Sequence, residues 1–387
     1  MNSVFTIPKI KNELYFGIFI LILKVYGQAS SILPFYNDTL DTVLSVIGVS
    51  CLMIHCFKKR HYKKVEIYIY LFFALLALFS AIQVKNYNIF ITVVTCLAIR
   101  GENTNDIINF IFKYSSFLFI VHFIYALIRI PFTGDTYLKI INGVNRYDMG
   151  FGHPNRFSIL LFNLLLMWIW VHFSTINYKE ISFIFLISLI NYFITMTRTN
   201  EIALVFLLIL LIIYKKYPKK MSIYLKQVSM IIVPFFALCS IIFVILYQKG
   251  NSIAVMFDKI LSGRIRLGSY AYEHFGFSLF GNNLSNFKIQ YDSVYKLNYF
   301  TFDNIYTDIL MQQGVIWFVI ISILFFLLAK KKNDAINFAI IAWGIYGVTE
   351  VHGLNVYMLF TILLVNELFR KNDKVKEKDY HKGELIE

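Results

Sequence analysis

Charge is what this sequence has least of. Only 16% of its 387 residues are Asp, Glu, Lys or Arg, against 58% hydrophobic residues and a mean hydropathy of +0.62. A soluble domain carries roughly a quarter charged residues, so the deficit excludes an ordinary soluble globular protein. Cysteine is sparse as well. Cys51, Cys56, Cys96 and Cys239 lie in or at the ends of apolar runs and form no CxxC, which excludes a disulfide frame or a zinc site built on cysteine. His55, His122 and His172 sit in apolar runs without metal-ligand spacing and read as packing or interface residues. Neither a metal nor a cofactor is expected. There is no GxxxxGK[ST] loop, no paired-glycine dinucleotide signature, and no internal repeat with matching broken helices of the kind inverted-repeat transporters carry. The net charge of +14 would suit nucleic acid, but the basic residues come as short clusters between apolar runs. That is the pattern of loop anchors, so no nucleic-acid partner is expected.

What fills the chain instead is apolar sequence in blocks. A hydrocarbon core of ~30 Å needs about 20 helical residues. Runs at 14–33, 40–57, 67–84, 87–99, 107–130, 157–174, 181–197, 201–217, 228–247, 304–329, 335–350 and 354–369 predict an all-α polytopic membrane protein of about 12 transmembrane helices. The runs 87–99, 181–197 and 201–217 are short or weak, and the turn 197–201 between the last two is expected to sink below the membrane surface. The first run is followed by Lys24 and Gly27-Gln28 rather than a small-residue cleavage site, so it is expected to stay as an anchor. Residues 1–369 form a single integral membrane domain in this reading, and 370–387 a charged, mostly disordered cytoplasmic tail.

Lysine and arginine set the orientation. With a cytoplasmic N-terminus, inside segments hold 24 of the 37 Lys and Arg residues and outside segments 12, with Lys24 inside a span. Both termini are therefore expected in the cytoplasm. The sizeable polar segments, 131–156 and 248–303, then face outward, the second as a large loop between spans 9 and 10. Six of the nine arginines fall on that outer face. Lysine already holds the topology, so concentrated arginine suits a bound polyanion, most economically a lipid-linked phosphate or pyrophosphate.

Candidate residues cluster in five places. In Arg146-Tyr147-Asp148-Met149-Gly150-Phe151-Gly152-His153-Pro154-Asn155-Arg156, Pro154 fits the first position of the sixth span. That start would present free amides and a dipole-positive end outward, an anion seat strengthened by Arg146 and Arg156, or simply a helix-start turn with surface charges. Arg198, at the tip of a short hairpin, either has a role or pairs with Glu201 or snorkels. In the long loop, Ile253, Met256, Phe257, Ile260 and Leu261 are spaced for an amphipathic helix on the membrane surface. Ser262-Gly263 ends it, and a second helical stretch is predicted from Arg264 to Phe275. Arg264 and Arg266 lie ~200° apart on a helix and are not expected to share a ligand; Arg264 is favoured and Arg266 read as structural. Asp303-Asn304-Ile305-Tyr306 opens the tenth span, where the carboxylate either caps the helix or handles an acceptor proton. Glu350 and His352 form a further pair at the outer end of the eleventh run.

Together these segments resemble the Wzy-type polysaccharide polymerases of the O-antigen polymerase and ligase superfamily, nearest to the capsule and exopolysaccharide polymerases of Gram-positive bacteria. The matching pieces are Arg146 with Gly150-Phe151-Gly152-His153-Pro154-Asn155, then Thr197-Arg198-Thr199 where the family shows Ser-Arg-Thr. Leu261-Ser262-Gly263-Arg264, Leu279-Phe280-Gly281, and Asp303-Asn304-x-Tyr306 with Gly314 follow. The resemblance implies a GT-C-like fold in the bacterial cytoplasmic membrane. It implies a metal-independent, inverting glycosyl transfer from undecaprenyl-pyrophosphate-linked oligosaccharides, alongside a flippase and a chain-length regulator. Carried over, Arg198 and Arg264 hold the pyrophosphate with Arg146 in support, and His153 and Asn155 shape the helix start. Arg156, Asn304, Tyr306, Glu350 and His352 join the substrate-binding set. Asp303 stands where related ligases carry a His-Asn pair, which makes it the candidate base or acceptor orienter. The alternatives are a ligase-like glycan transferase and, from another class, a lipid-linked glycan flippase or solute transporter.

Overall fold

The computed structural model describes residues 12–369 apart from 59–63, 142 and, within 285–299, all but 287, 292, 295 and 297. The tail 370–387 lies outside the described residues. The chain is a predominantly α-helical membrane protein. Six helices are long and apolar enough to cross a membrane: α2 (Asp38–Lys58), α3 (Lys64–Val84), α5 (Thr104–Thr133), α6 (Pro154–Val171), α7 (Tyr178–Thr195) and α9 (Pro218–Gln248). The run at 14–33 becomes α1 (Asn12–Ala29), 87–99 the short apolar α4 (Asn88–Ala98), and 201–217 becomes α8 (Arg198–Lys216) with its charged ends. In the long loop, α10 (Ser252–Ile260) and α11 (Arg264–Phe275) stand where the 3–4 spacing put them. Gly263 between them has φ +88°, a left-handed turn that separates the two axes.

Three places depart from the apolar-run reading. A two-stranded antiparallel hairpin, β1 (Leu138–Ile141) and β2 (Val144–Tyr147), interrupts the otherwise helical chain. Its signal was present: two residues, Asn-Gly in the sequence, separate the paired Ile141 and Val144, and β-branched residues flank them. The run 304–329 is not one helix. It comprises a turn α12 (Ile305–Thr307), a π-helical stretch Asp308–Gln313, and α13 (Val315–Ala329), broken at Gly314. The last run follows α14 (Asp334–Gly347) and is wound as 3₁₀ helix over Phe360–Leu368, with Phe360–Asn366 all buried.

The break at Gly314 is held by the loop before it. Ser278 O accepts the Val315 N–H at 2.8 Å, Gln312 O accepts the Asn282 N–H at 2.9 Å, and Met311 O accepts Asn282 Nδ2 at 2.7 Å. Gly314 has φ +113°, and a Cβ there would lie 2.5 Å from Leu279 O; one on Gly281 would lie 2.4 Å from Gln312 O. Two backbones meet where no side chain fits. Gly314→Ala should therefore lower the melting temperature of the detergent-solubilised protein by the equivalent of about 2 kcal/mol or more, from left-handed strain plus the clash. An unchanged melting temperature would show that this junction is not tight.

Candidate functional site

The candidate site grows from the starts of two helices. His153 is the N-cap of α6, with extended backbone, and its Nδ1 accepts the Asn155 N–H at 3.1 Å; Pro154 follows at the first helical position, as the sequence predicts. An accepting Nδ1 fixes the neutral tautomer with its hydrogen on Nε2. Partial burial, then the charges of Arg156 and Arg146, hold this imidazole below the ordinary histidine value, while Asp303 and Asp148 pull the other way. The loop ahead of the cap is clamped from beneath. Asp148 is buried, its Oδ1 accepts the Gly150 N–H at 2.9 Å, and Gly150 O accepts both Ser31 N–H and Ser31 Oγ–H. Phe151 packs against Phe119 and the His122 ring.

The start of α8 lies beside that of α6. Thr197, its N-cap residue, points Oγ1 at Asn155 Oδ1, 3.4 Å away. One turn deeper, Ser158 Oγ on α6 accepts from Asn191 Nδ2 on α7 at 2.9 Å and from Asn200 Nδ2 on α8 at 3.0 Å, all three residues buried. This tie escapes sequence reading because it joins lone polar residues on three helices.

Arg198 is exposed at the first position of α8 and makes no hydrogen bond or ion pair among the described residues. The expected alternative partner, Glu201, instead accepts from Ser188. Arg146 reaches the same place from β2, which packs on α7. Its guanidinium is lowered by burial and then by the charge of Arg198, and its Nε is buried without a partner. Arg156 is exposed in the first turn of α6 and also lacks an ion-pair partner among the described residues. Half-buried His352, in the turn beyond α14, feels it: burial first and Arg156 second push that imidazole down to about 4.

Arg264 is arranged differently. It is buried at the start of α11, and its donors are engaged by the protein: Nε by Asp303 O at 3.1 Å, Nη1 by Leu261 O at 3.3 Å, and Nη2 by the buried Glu350 carboxylate at 3.5 Å. Arg264, expected to hold the pyrophosphate, is thus a staple joining three segments in this structure. Arg266 turns away, as the helix spacing requires, with its backbone N–H on Asp258 Oδ1 at 2.8 Å and its guanidinium over Gly263. Asp303 is half-buried and accepts from Thr301 Oγ1 at 2.9 Å, and its charge reaches both His153 and Glu350.

Two expected contacts are placed in the scaffold. The cap of α12 is Asn304, not Asp303: its Oδ1 accepts the N–H groups of Tyr306 and Thr307, and its Nδ2 reaches Ser240 Oγ and Val348 O. A neutral amide serves both needs where a carboxylate could only accept. Tyr306 is fully buried with its hydroxyl on Gly344 O at 2.7 Å, so it faces the packed interior rather than the basic cluster. Residues from 146–156, 197–198, 264, 303 and 350–352 thus gather at one end of the helices. Among the described residues, no group of three or more His, Cys, Asp or Glu side chains could hold a metal.

No family model, curated protein or solved structure matches this chain.

The Arg264–Glu350 pair gives a direct test of the scaffold. Both side chains are buried, so removing one partner strands the other's charge, at about 3–5 kcal/mol, whereas an apolar pair of similar size is tolerated. Glu350→Ala should sharply lower thermal stability in detergent, and the double variant Arg264→Met with Glu350→Met should recover most of the loss. Additive losses in the double variant would mean the two charges are not coupled.

Proposed function

We propose that this chain is a polysaccharide polymerase of the Wzy type. It would join undecaprenyl-pyrophosphate-linked oligosaccharide repeat units into capsular or exopolysaccharide chains at the outer face of the bacterial cytoplasmic membrane. The reading includes about twelve spans in a GT-C-like arrangement, both termini in the cytoplasm, and loops 131–156 and 248–303 outside. A flippase that delivers the lipid-linked units and a chain-length regulator are the partners that go with it.

One observation carries the proposal. Arg146, Arg156 and Arg198 come from separate segments to two adjoining helix starts, and none has a carboxylate partner among the described residues. Elsewhere the chain neutralises its buried cations, as with Lys24 and Asp41 at 3.6 Å. Uncompensated guanidiniums, helix dipoles and free amides together favour a multiply charged anion. A diphosphate leaving group matches them, because arginine holds such charge without losing a proton.

In the transfer, the acceptor hydroxyl oxygen forms the new bond to the anomeric carbon as the bond from that carbon to the diphosphate breaks. The electron pair leaves with the diphosphate, toward Arg146, Arg156 and Arg198. The acceptor proton passes to Asp303, the least buried carboxylate of the cluster. Arg264 contributes by fixing the Asp303 backbone and Glu350 in place. Glu350 and His352 line the far side of the site. The transporter reading loses ground because Lys24, midway along the first expected span, is already paired with Asp41.

The test is chain growth by the purified full-length protein in vesicles supplied with lipid-linked repeat units. Wild type should give a ladder of lengths. Arg198→Ala and Arg146→Ala should each abolish it while leaving folded protein intact, with Arg198→Lys a poor rescue and Arg266→Ala milder. Full-length polymer from both alanine variants would end this assignment of the arginines, and no polymer from wild type would end the polymerase reading.

A further inference from the structure

Two exposed apolar edges stand at opposite ends of α11, and no span accounts for either. One is α10, where Ile253, Met256 and Ile260 are 55%, 51% and 64% exposed. The other is the segment after α11, where Phe277, Leu279 and Phe280 are 44%, 62% and 43% exposed. Twelve residues of α11 separate them, a distance of ~18 Å at 1.5 Å per residue.

Each edge touches a long apolar helix five residues from that helix's end. Phe280 meets Phe79 edge-on at 5.5 Å, five residues short of the end of α3 at Val84. Phe257, beside the α10 edge, meets Phe243 at 5.0 Å, five residues short of the end of α9 at Gln248. Five helical residues are ~7.5 Å, within the range of about 5–10 Å to which interfacial helices sink their apolar faces. The second edge is also fixed in position, since Ser278 O and Leu279 O accept the Val315 and Ile316 N–H groups at the top of α13.

We infer that the large loop is immersed in the membrane at both edges, and that the lipid acyl chains of the adjoining leaflet are what cover them. The argument for lipid is continuity. The surface running from the second edge down α3 is apolar and exposed, with Phe72 at 60%, Leu75 at 55% and Ile82 at 60%. From the first edge down α9, Leu238 and Ile242 are 58% and 44% exposed. Lipid that coats these spans reaches both edges without crossing a polar boundary. Exposed Lys259 sits beside Ile260, where its long stem can lie along the apolar surface while the ammonium meets lipid phosphates. Immersion at two points would hold α11, and with it Arg264, at headgroup height. The inference does not rest on the polymerase reading.

The experiment places the photoreactive residue p-benzoylphenylalanine at Phe280 or Met256, one at a time, in the full chain reconstituted in phosphatidylcholine–phosphatidylglycerol vesicles. Phe72, on the apolar face of α3, and Asn145, exposed on the hairpin, serve as references. After irradiation, mass spectrometry should find lipid adducts at 280 and 256 in yields matching position 72, and their loss at 145. Adduct yield at either edge as low as at position 145 would overturn the inference. So would covalent dimers in place of lipid adducts, since they would make the edge a contact between copies.

Discussion

A single hydroxyl fixes the geometry on which the candidate site depends. Ser158 Oγ takes hydrogen bonds from Asn191 and Asn200, so three helices must cross at one depth and in one rotation. In an apolar surround an unpartnered amide donor is costly, so the two bonds to Ser158 favour this crossing, although Asn191 Oδ1 and Asn200 Oδ1 are buried without partners. Once α6, α7 and α8 are pinned there, the starts of α6 and α8 must lie side by side one turn above. The close approach of Thr197 to Asn155, and of Arg146 on β2 to Arg198, follows from that.

Two kinds of arginine result. Arg100 is paired with Glu66 at 2.8 Å and lies over the Tyr70 ring, and Arg264 is enclosed by two carbonyls and Glu350. Such residues join segments, and a buried charge treated this way is stable because every alternative leaves it stranded. Arg146, Arg156 and Arg198 have no such enclosure, and two of them repel one another. A fold does not gain from holding like charges together at helix ends that are themselves positive. An anion bound there would relieve that repulsion, which is the physical content of calling the cluster a candidate site.

How much of this was legible in the sequence depends on whether the cause was local. Pro154 at the start of α6, the stop at Ser262-Gly263 and the opposed faces of Arg264 and Arg266 are decided by neighbours within one turn, and they stand as read. The hairpin was also local, but the apolar windows that find spans pass over an Asn-Gly turn in a polar stretch. Other features were decided across the fold. Apolar sequence reads alike in a straight helix and in the broken run at Gly314, because the break depends on Leu279 and Gly281 arriving from another segment. For the same reason the contacts of Arg264 were not legible: its partners Asp303 and Glu350 lie 39 and 86 residues away.

The broken run also ties the long loop to the helices. Irregular backbone at membrane depth is tolerated only where its N–H and C=O groups are hydrogen-bonded within the protein. The π-helical stretch Asp308–Gln313 and the turn at Gly314 leave such groups open, and the segment 278–282 supplies the partners from Ser278, Leu279 and Asn282. That segment follows α11, whose first residue is Arg264, and the broken run begins at Asn304, next to Asp303. A shift of the loop therefore moves Arg264 and Asp303 together, with the Arg264 Nε contact to Asp303 O closing the circuit. The backbone requirement of the break thus becomes a positional constraint on Arg264 and Asp303.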